Sequence, residues 1–197
     1  MRQRFMASLA SFRSDRRLLL LVLIPFLAEM ALAPLGALVP AMILLDLGLT
    51  SREAGLASAA FTAGFLTATQ LFARIRITPL ESVGISAVVL GLGNLGTGLL
   101  AYPHFLLGSF LADGGTMAVG LLSRTFLQLL APPSLVGQML ALHGALALSS
   151  RPLGLFLGAA LGEPYGARLS VTLIGLFLFL VGLLGCLVWS AFWGAWP

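Results

Sequence analysis

Six apolar runs, separated by short polar or turn-forming breaks, leave this chain little freedom of fold. They cover residues 18–45, 54–73, 79–101, 105–131, 134–161 and 168–195. Each meets the ~20 residues that a helix needs to cross a hydrocarbon layer. Within that layer every backbone N–H and C=O must be satisfied inside the protein, so only helices or a closed barrel can span it. The dyad alternation of barrel strands is absent. The expectation is an all-α integral membrane protein with six transmembrane helices. Composition agrees: 59% of residues are hydrophobic and 9% charged, against about 25% charged in a soluble domain.

The breaks carry turn chemistry or charge: Asp46-Leu47-Gly48 to Glu53, Arg74 to Pro79, Tyr102-Pro103-His104, Pro132-Pro133, and Gly162 to Gly166. Residues 1–17 form a basic segment with five arginines and one aspartate, and 18–197 form the transmembrane domain. Phe5, Leu9 and Phe12 recur at helical spacing, which fits an interfacial helix; a disordered basic tail fits equally well. Leu18–Leu27 with Ala31-Leu32-Ala33 resembles a signal peptide, but the apolar run continues to Leu45. A retained helix is expected.

All eleven basic residues are arginine. With the N-terminus in the cytoplasm, Arg2, Arg4, Arg13, Arg16, Arg17, Arg74, Arg76 and Arg124 fall inside and Arg52 and Arg168 outside. That bias places both termini in the cytoplasm of a multi-pass protein of the cell (inner or plasma) membrane. Trp189, Trp193 and Trp196 are then expected in an inner aromatic belt. The same distribution argues against nucleic acid as a partner, because the arginines sit at the ends of apolar runs rather than among stacking aromatics.

Enzyme chemistry finds no foothold. The sequence has no G-x-S-G turn with a histidine, no acids following Asp113-Gly114-Gly115, no metal-spaced cluster and no P-loop. Cys186 stands alone, so no intrachain disulfide or cysteine-based metal site is possible. No cofactor or metal is expected. The glycines are patterned, with Gly154, Gly158 and Gly162 four apart and Gly84, Gly91, Gly93, Gly96 and Gly98 in the third run. Such stripes let helix backbones pack closely, and they predict a compact bundle.

The candidate functional residues are the ionisable ones inside the runs, where charge is costly. At 1.5 Å per residue, Asp113 lies roughly 12 Å and Arg151 roughly 15 Å below the outer surface. Glu29 lies near the middle of a ~30 Å core, so either carboxylate reaches Arg151 in depth. Two readings stand. The three line a cavity for a polar substrate or protons, or they form an ion pair that fixes packing. His143, about 13 Å from the inner face, reads either as a proton-pathway residue or as a hydrogen-bonded packing histidine. Gln70 and Asn94 are expected to bond across helices.

RTFLQLLAPPSLVGQM at 124–139 resembles the loop between the tenth and eleventh helices of major facilitator superfamily exporters, in the group that includes the enterobactin exporter and drug-efflux proteins. That pattern reads N-T-x-x-Q-x-x-V-P-x-x-x-R-G-R-V, and Thr125, Gln128, Pro132 and Gly137 match it. R-P-L-G at Arg151–Gly154 resembles the eleventh helix, SDRRLLLLVLIPFL the entry into the seventh, and LTSREAGLASAAFTAGFL the eighth. Departures are Arg124 for asparagine, Pro133-Ser134 for an acidic pair, and Val136 and Gln138 for two arginines. The resemblance implies a C-terminal half of that fold, two three-helix repeats in inverted topology. It also implies proton-coupled efflux of a small amphipathic solute. The partners it implies are a small-molecule substrate, protons, the lipid bilayer, and either a second six-helix half or a second copy as a homodimer. The alternative is a non-transporting truncated or regulatory membrane module, which the chain's length and the missing loop arginines fit.

Overall fold

The computed structural model describes residues 15–74 and 81–193. The basic segment before Asp15, Arg76, Trp196 and the Trp193 side chain lie outside the described residues. Every described element is helical, and five helical stretches are long and apolar enough to cross a membrane.

The first stretch, Arg16–Asp46, consists of α1 (Arg16–Leu32), α2 (Leu35–Ala41) and a π-turn (Met42–Asp46). Asp15 caps α1, accepting from the Arg17 N–H at 2.9 Å and pairing with the Arg17 guanidinium at 2.9 Å. Pro25, Pro34 and Pro40 remove three backbone donors from the stretch. The helix breaks at Ala33-Pro34, and the π-turn begins two residues after Pro40. The second stretch, α3 (Ser51–Arg74), starts with a capping box. The Arg52 N–H donates to the Thr50 hydroxyl at 3.2 Å, and the Glu53 carboxylate accepts from the Thr50 N–H at 2.9 Å and from its hydroxyl. Then come α4 (Glu81–Leu99), α5 (Phe105–Leu130) and α6 (Val136–Trp193). Helix ends fall within a few residues of the apolar-run boundaries, except that α6 fuses the last two runs.

α6 is not one straight rod. Gly166 has φ 75° and ψ 167°, a region essentially closed to residues with a Cβ. Its first arm, 136–165, runs beside the first stretch, with Gly154 against Met30, Gly158 against Pro34 and Gly162 against Leu38. Its second arm, 167–193, runs antiparallel to α4, with Thr172 against Gly98, Phe179 against Gly91 and Cys186 against Gly84. Arg168 fastens the break. Its N–H donates to Asp46 at 2.7 Å, and its guanidinium donates to the carbonyls of Gly98 at 2.9 Å and Leu99 at 3.0 Å. The C-terminal ends of the first stretch, of α4 and of the first arm therefore meet at one level, and the chain turns back there. α5 is antiparallel to α4, with Ala112 against Gly93 and Leu90 against Gly115, and α3 is parallel to α5, with Gly64 against Phe110 and Ala68 against Gly114.

The patterned glycines thus act as expected: α4 meets α5 and the second arm through them. Buried polar groups mostly bond within their own helix. Asn94 Nδ2 donates to the Leu90 carbonyl at 2.9 Å rather than across helices, while Thr97 and Ser109 bond back one turn and face each other at 3.5 Å. Gln70 is exposed and makes no cross-helix bond among the described residues. Trp189 departs from the belt expectation. It is 1% exposed, because the second arm turns it into the main apolar core of the bundle.

Candidate functional site

The proline-interrupted part of the first stretch lines a cavity. A cavity of about 620 Å³ lies against Ala33, Gly36 and Pro40, with walls from α3, α5 and the first arm of α6. Glu29, Asp113 and Arg151 all line it, together with Ser58, Phe61 and Thr116. Three of the four candidate residues are therefore collected in one place from three separate helices, and they are the ionisable side chains on its wall.

Arg151 donates from Nε to Glu29 Oε2 at 2.9 Å. Glu29 sits one turn before the break at Pro34, and Gly154, one turn beyond Arg151, brings α6 onto the Met30 carbonyl. A Cβ at Gly154 would overlap that oxygen, so the glycine sets the approach that puts carboxylate and guanidinium in reach. The pair is not sealed: the side chains are 55% and 31% exposed to the cavity and its open side. Asp113 is half-buried and makes no hydrogen bond or ion pair among the described residues. Depth alone left both carboxylates as partners for Arg151. Tertiary packing chooses Glu29 and leaves Asp113 as a second, uncommitted acid.

His143 is elsewhere. It is 3% exposed, lies outside the cavity wall, and finds no hydrogen-bond partner for either ring nitrogen among the described residues. Leu18, Val22, Leu127 and Met139 form a separate apolar cluster at its end of the bundle. The expectation of a hydrogen-bonded packing histidine is met only in its burial. Ser123 Oγ and Trp189 Nε1 are likewise buried without a partner.

The polar wall contributed by α3 was not singled out from sequence, although a signal was present. α3 is the least apolar of the five stretches and the least buried. Ser58 and Thr62 bond to carbonyls one turn back and still face outward. Among the described residues no group of three His, Cys, Asp or Glu side chains could hold a metal ion.

No family model, no curated protein and no solved structure matches the chain. The chemistry of the cavity therefore rests on its own residues: a guanidinium held by one carboxylate, a second carboxylate free, and an apolar surround.

Proposed function

We propose that this chain is a transport unit that moves a small amphipathic solute across the cell membrane in exchange for protons. The observation that carries the reading is the collection of Glu29, Asp113 and Arg151 on one cavity wall between apolar helices. Ionisable groups inside membrane-spanning helices are costly and are by default read as parts of a substrate or ion pathway. A proton on Glu29 weakens the 2.9 Å pair and frees the guanidinium. Arg151 can then turn to Asp113 or to an anionic part of the solute. The apolar surround takes the rest of the solute, and one proton is exchanged for one load.

The architecture that fits is six crossings in two inverted three-helix repeats, with α6 supplying the fifth and sixth on either side of Gly166. A repeated contact supports it. Gly64 and Ala68 of α3 pack on Phe110 and Gly114 of α5, and Gly154 and Gly158 of α6 pack on Met30 and Pro34 of the first stretch. Both pairs run parallel with the same four-residue step, and in both the first glycine meets a backbone carbonyl oxygen. Swapping the first crossing with the fourth and the second with the fifth carries one contact onto the other. Such symmetry about an axis in the membrane plane is the signature of inverted repeats. It agrees with the resemblance to one half of a major facilitator exporter, from which the outward direction of transport is taken.

The test is reconstitution in vesicles containing a pH-sensitive dye, challenged with a panel of amphipathic solutes. Solute-dependent proton movement is expected from the wild type, and its loss in Glu29→Gln and Asp113→Asn with helicity retained. Wild-type vesicles that move no protons with any solute, alone or with a second six-helix half, sink the reading. The rival reading, a non-transporting membrane module, draws on the loop, where Val136 and Gln138 replace the resembling family's arginines.

A further inference from the structure

At the end of the bundle where the chain turns back, Asp46 and Arg168 stand exposed and do not pair with each other. The Asp46 carboxylate accepts the Arg168 backbone N–H at Oδ2, and its Oδ1 takes no bond among the described residues. The Arg168 guanidinium spends Nε and one Nη on the carbonyls of Gly98 and Leu99, and its other Nη makes no bond among the described residues. Both charges line a hollow of about 470 Å³, together with Tyr165, Leu169 and Thr172. Tyr102 and Tyr165 are 43% and 56% exposed at this end, and amphipathic rings of this kind settle at headgroup level.

A row of side chains leads down from the hollow. Leu169, Leu173 and Phe177 lie four apart on the second arm of α6, one above another, and all are exposed. Leu169 belongs to the hollow, and Leu173 and Phe177 belong to a crevice between the two arms of α6. Leu157 and Leu161 form its other wall, and Met30 and Pro34 its floor. Every residue lining it is apolar. Its volume is about 290 Å³, less than the roughly 400 Å³ that one helical turn fills with its side chains, so a partner helix does not fit. Phe177 lies roughly 14 Å below Arg168 at 1.5 Å per residue, close to the depth of one leaflet's chains in a ~30 Å core.

We infer that the hollow and the crevice together bind one phospholipid whose headgroup joins a phosphate to a primary ammonium, as in phosphatidylethanolamine. The phosphate meets the uncommitted Nη of Arg168, the ammonium donates to Asp46, and one acyl chain follows Leu169 into the crevice. Charge selects the headgroup. A lipid with a phosphate and no cation gains Arg168 but is repelled by Asp46. A trimethylated ammonium keeps the charge but has no N–H to give the carboxylate. The crevice holds the chain by close packing, which is what distinguishes one apolar contact from another inside a bilayer. It lies across the Ala33-Pro34 break from the transport cavity, which takes Ala33 and Gly36 instead. The site therefore stands apart from the transport reading.

The experiment is native mass spectrometry of the full-length chain in detergent, titrated with phosphatidylethanolamine, phosphatidylcholine and phosphatidylglycerol of identical acyl chains. One retained phosphatidylethanolamine is expected, held about tenfold more tightly than either of the others. Asp46→Asn keeps an acceptor for the Arg168 N–H and removes the charge, so the preference should vanish. Leu173→Trp fills the crevice and should release all three lipids, whereas Leu184→Trp, exposed further along the same arm, should release none. The headgroup without chains, glycerophosphoethanolamine, should not displace the lipid. Equal retention of the three lipids by the wild type, a preference that survives Asp46→Asn, or displacement by the chainless headgroup overturns the proposal. Photolabelling of the wild type serves where a variant does not fold. In vesicles, a phosphatidylethanolamine carrying a diazirine in its acyl chain should mark residues 154–161 and 173–177 ahead of 180–187. Uniform marking of these segments overturns the proposal, whether or not the chain transports.

Discussion

At the residue scale, the commitment of Arg151 to Glu29 rather than Asp113 has measurable consequences. In a double-mutant cycle, Glu29→Gln and Arg151→Gln should be non-additive by about 0.5–3 kcal/mol in unfolding measurements, whereas Asp113→Asn with Arg151→Gln should sum within about 0.5 kcal/mol for the monomer. The glycines divide in the same way. A Cβ at Gly64 would overlap the Phe110 carbonyl, while one at Gly120 meets nothing within 4 Å. Gly64→Val should therefore lower the thermal midpoint sharply, at a cost of about 1–3 kcal/mol or more. Gly120→Ala should leave it unchanged or raise it, since alanine is favoured by up to about 1 kcal/mol inside a helix. The sequence does not tell the two apart, because spacing along a helix does not show what lies across from a glycine.

At the element scale, α6 depends on its break. Gly166 at φ 75° permits the reversal, and Arg168 ties it to the ends of two other stretches. Gly166→Ala imposes strain of about 1–3 kcal/mol, and Arg168→Ala removes the guanidinium donor from the Gly98 and Leu99 carbonyls while the backbone bond to Asp46 remains. Both should increase amide exchange at 162–172 while leaving the parts of α6 remote from the break protected. At the other end, α1 begins at Asp15, whose carboxyl is held below its ordinary value of 3.8, chiefly by its bond to the Arg17 side chain. A depressed folded value means that the contribution is fully present above 3.8 and is lost as pH falls through the lower folded value. Asp15→Ala should cost about 1 kcal/mol near neutrality and flatten the acid limb of the stability curve, read by thermal melts from pH 6 down to about pH 2.

At the scale of the whole molecule, two surfaces of different solvent are expected. Ser58→Cys on the cavity wall should react with a membrane-impermeant maleimide in intact cells, and be protected by a solute that occupies the cavity. Leu184→Cys, 61% exposed on the opposite side, should resist the same reagent because hydrocarbon covers it. Equal labelling of both would remove the distinction between a polar side and a lipid side.

The sequence by itself determined the solvent and the secondary structure. Apolar length and the obligation to satisfy backbone groups leave helices as the answer, and the turn residues mark where they stop within a few positions. It also identified which ionisable residues stand where charge is costly, because that follows from position along a run. Only the tertiary structure decided what those residues do to one another. Depth along a helix is a local quantity, fixed by counting; rotation and lateral neighbours are not. They depend on the close approach at Gly154 and Met30, on the break at Ala33-Pro34 and on the turn at Gly166. These choices gave Glu29 to Arg151, left Asp113 free, took His143 out of the cavity wall and Trp189 out of the belt, and opened the cavity toward one side.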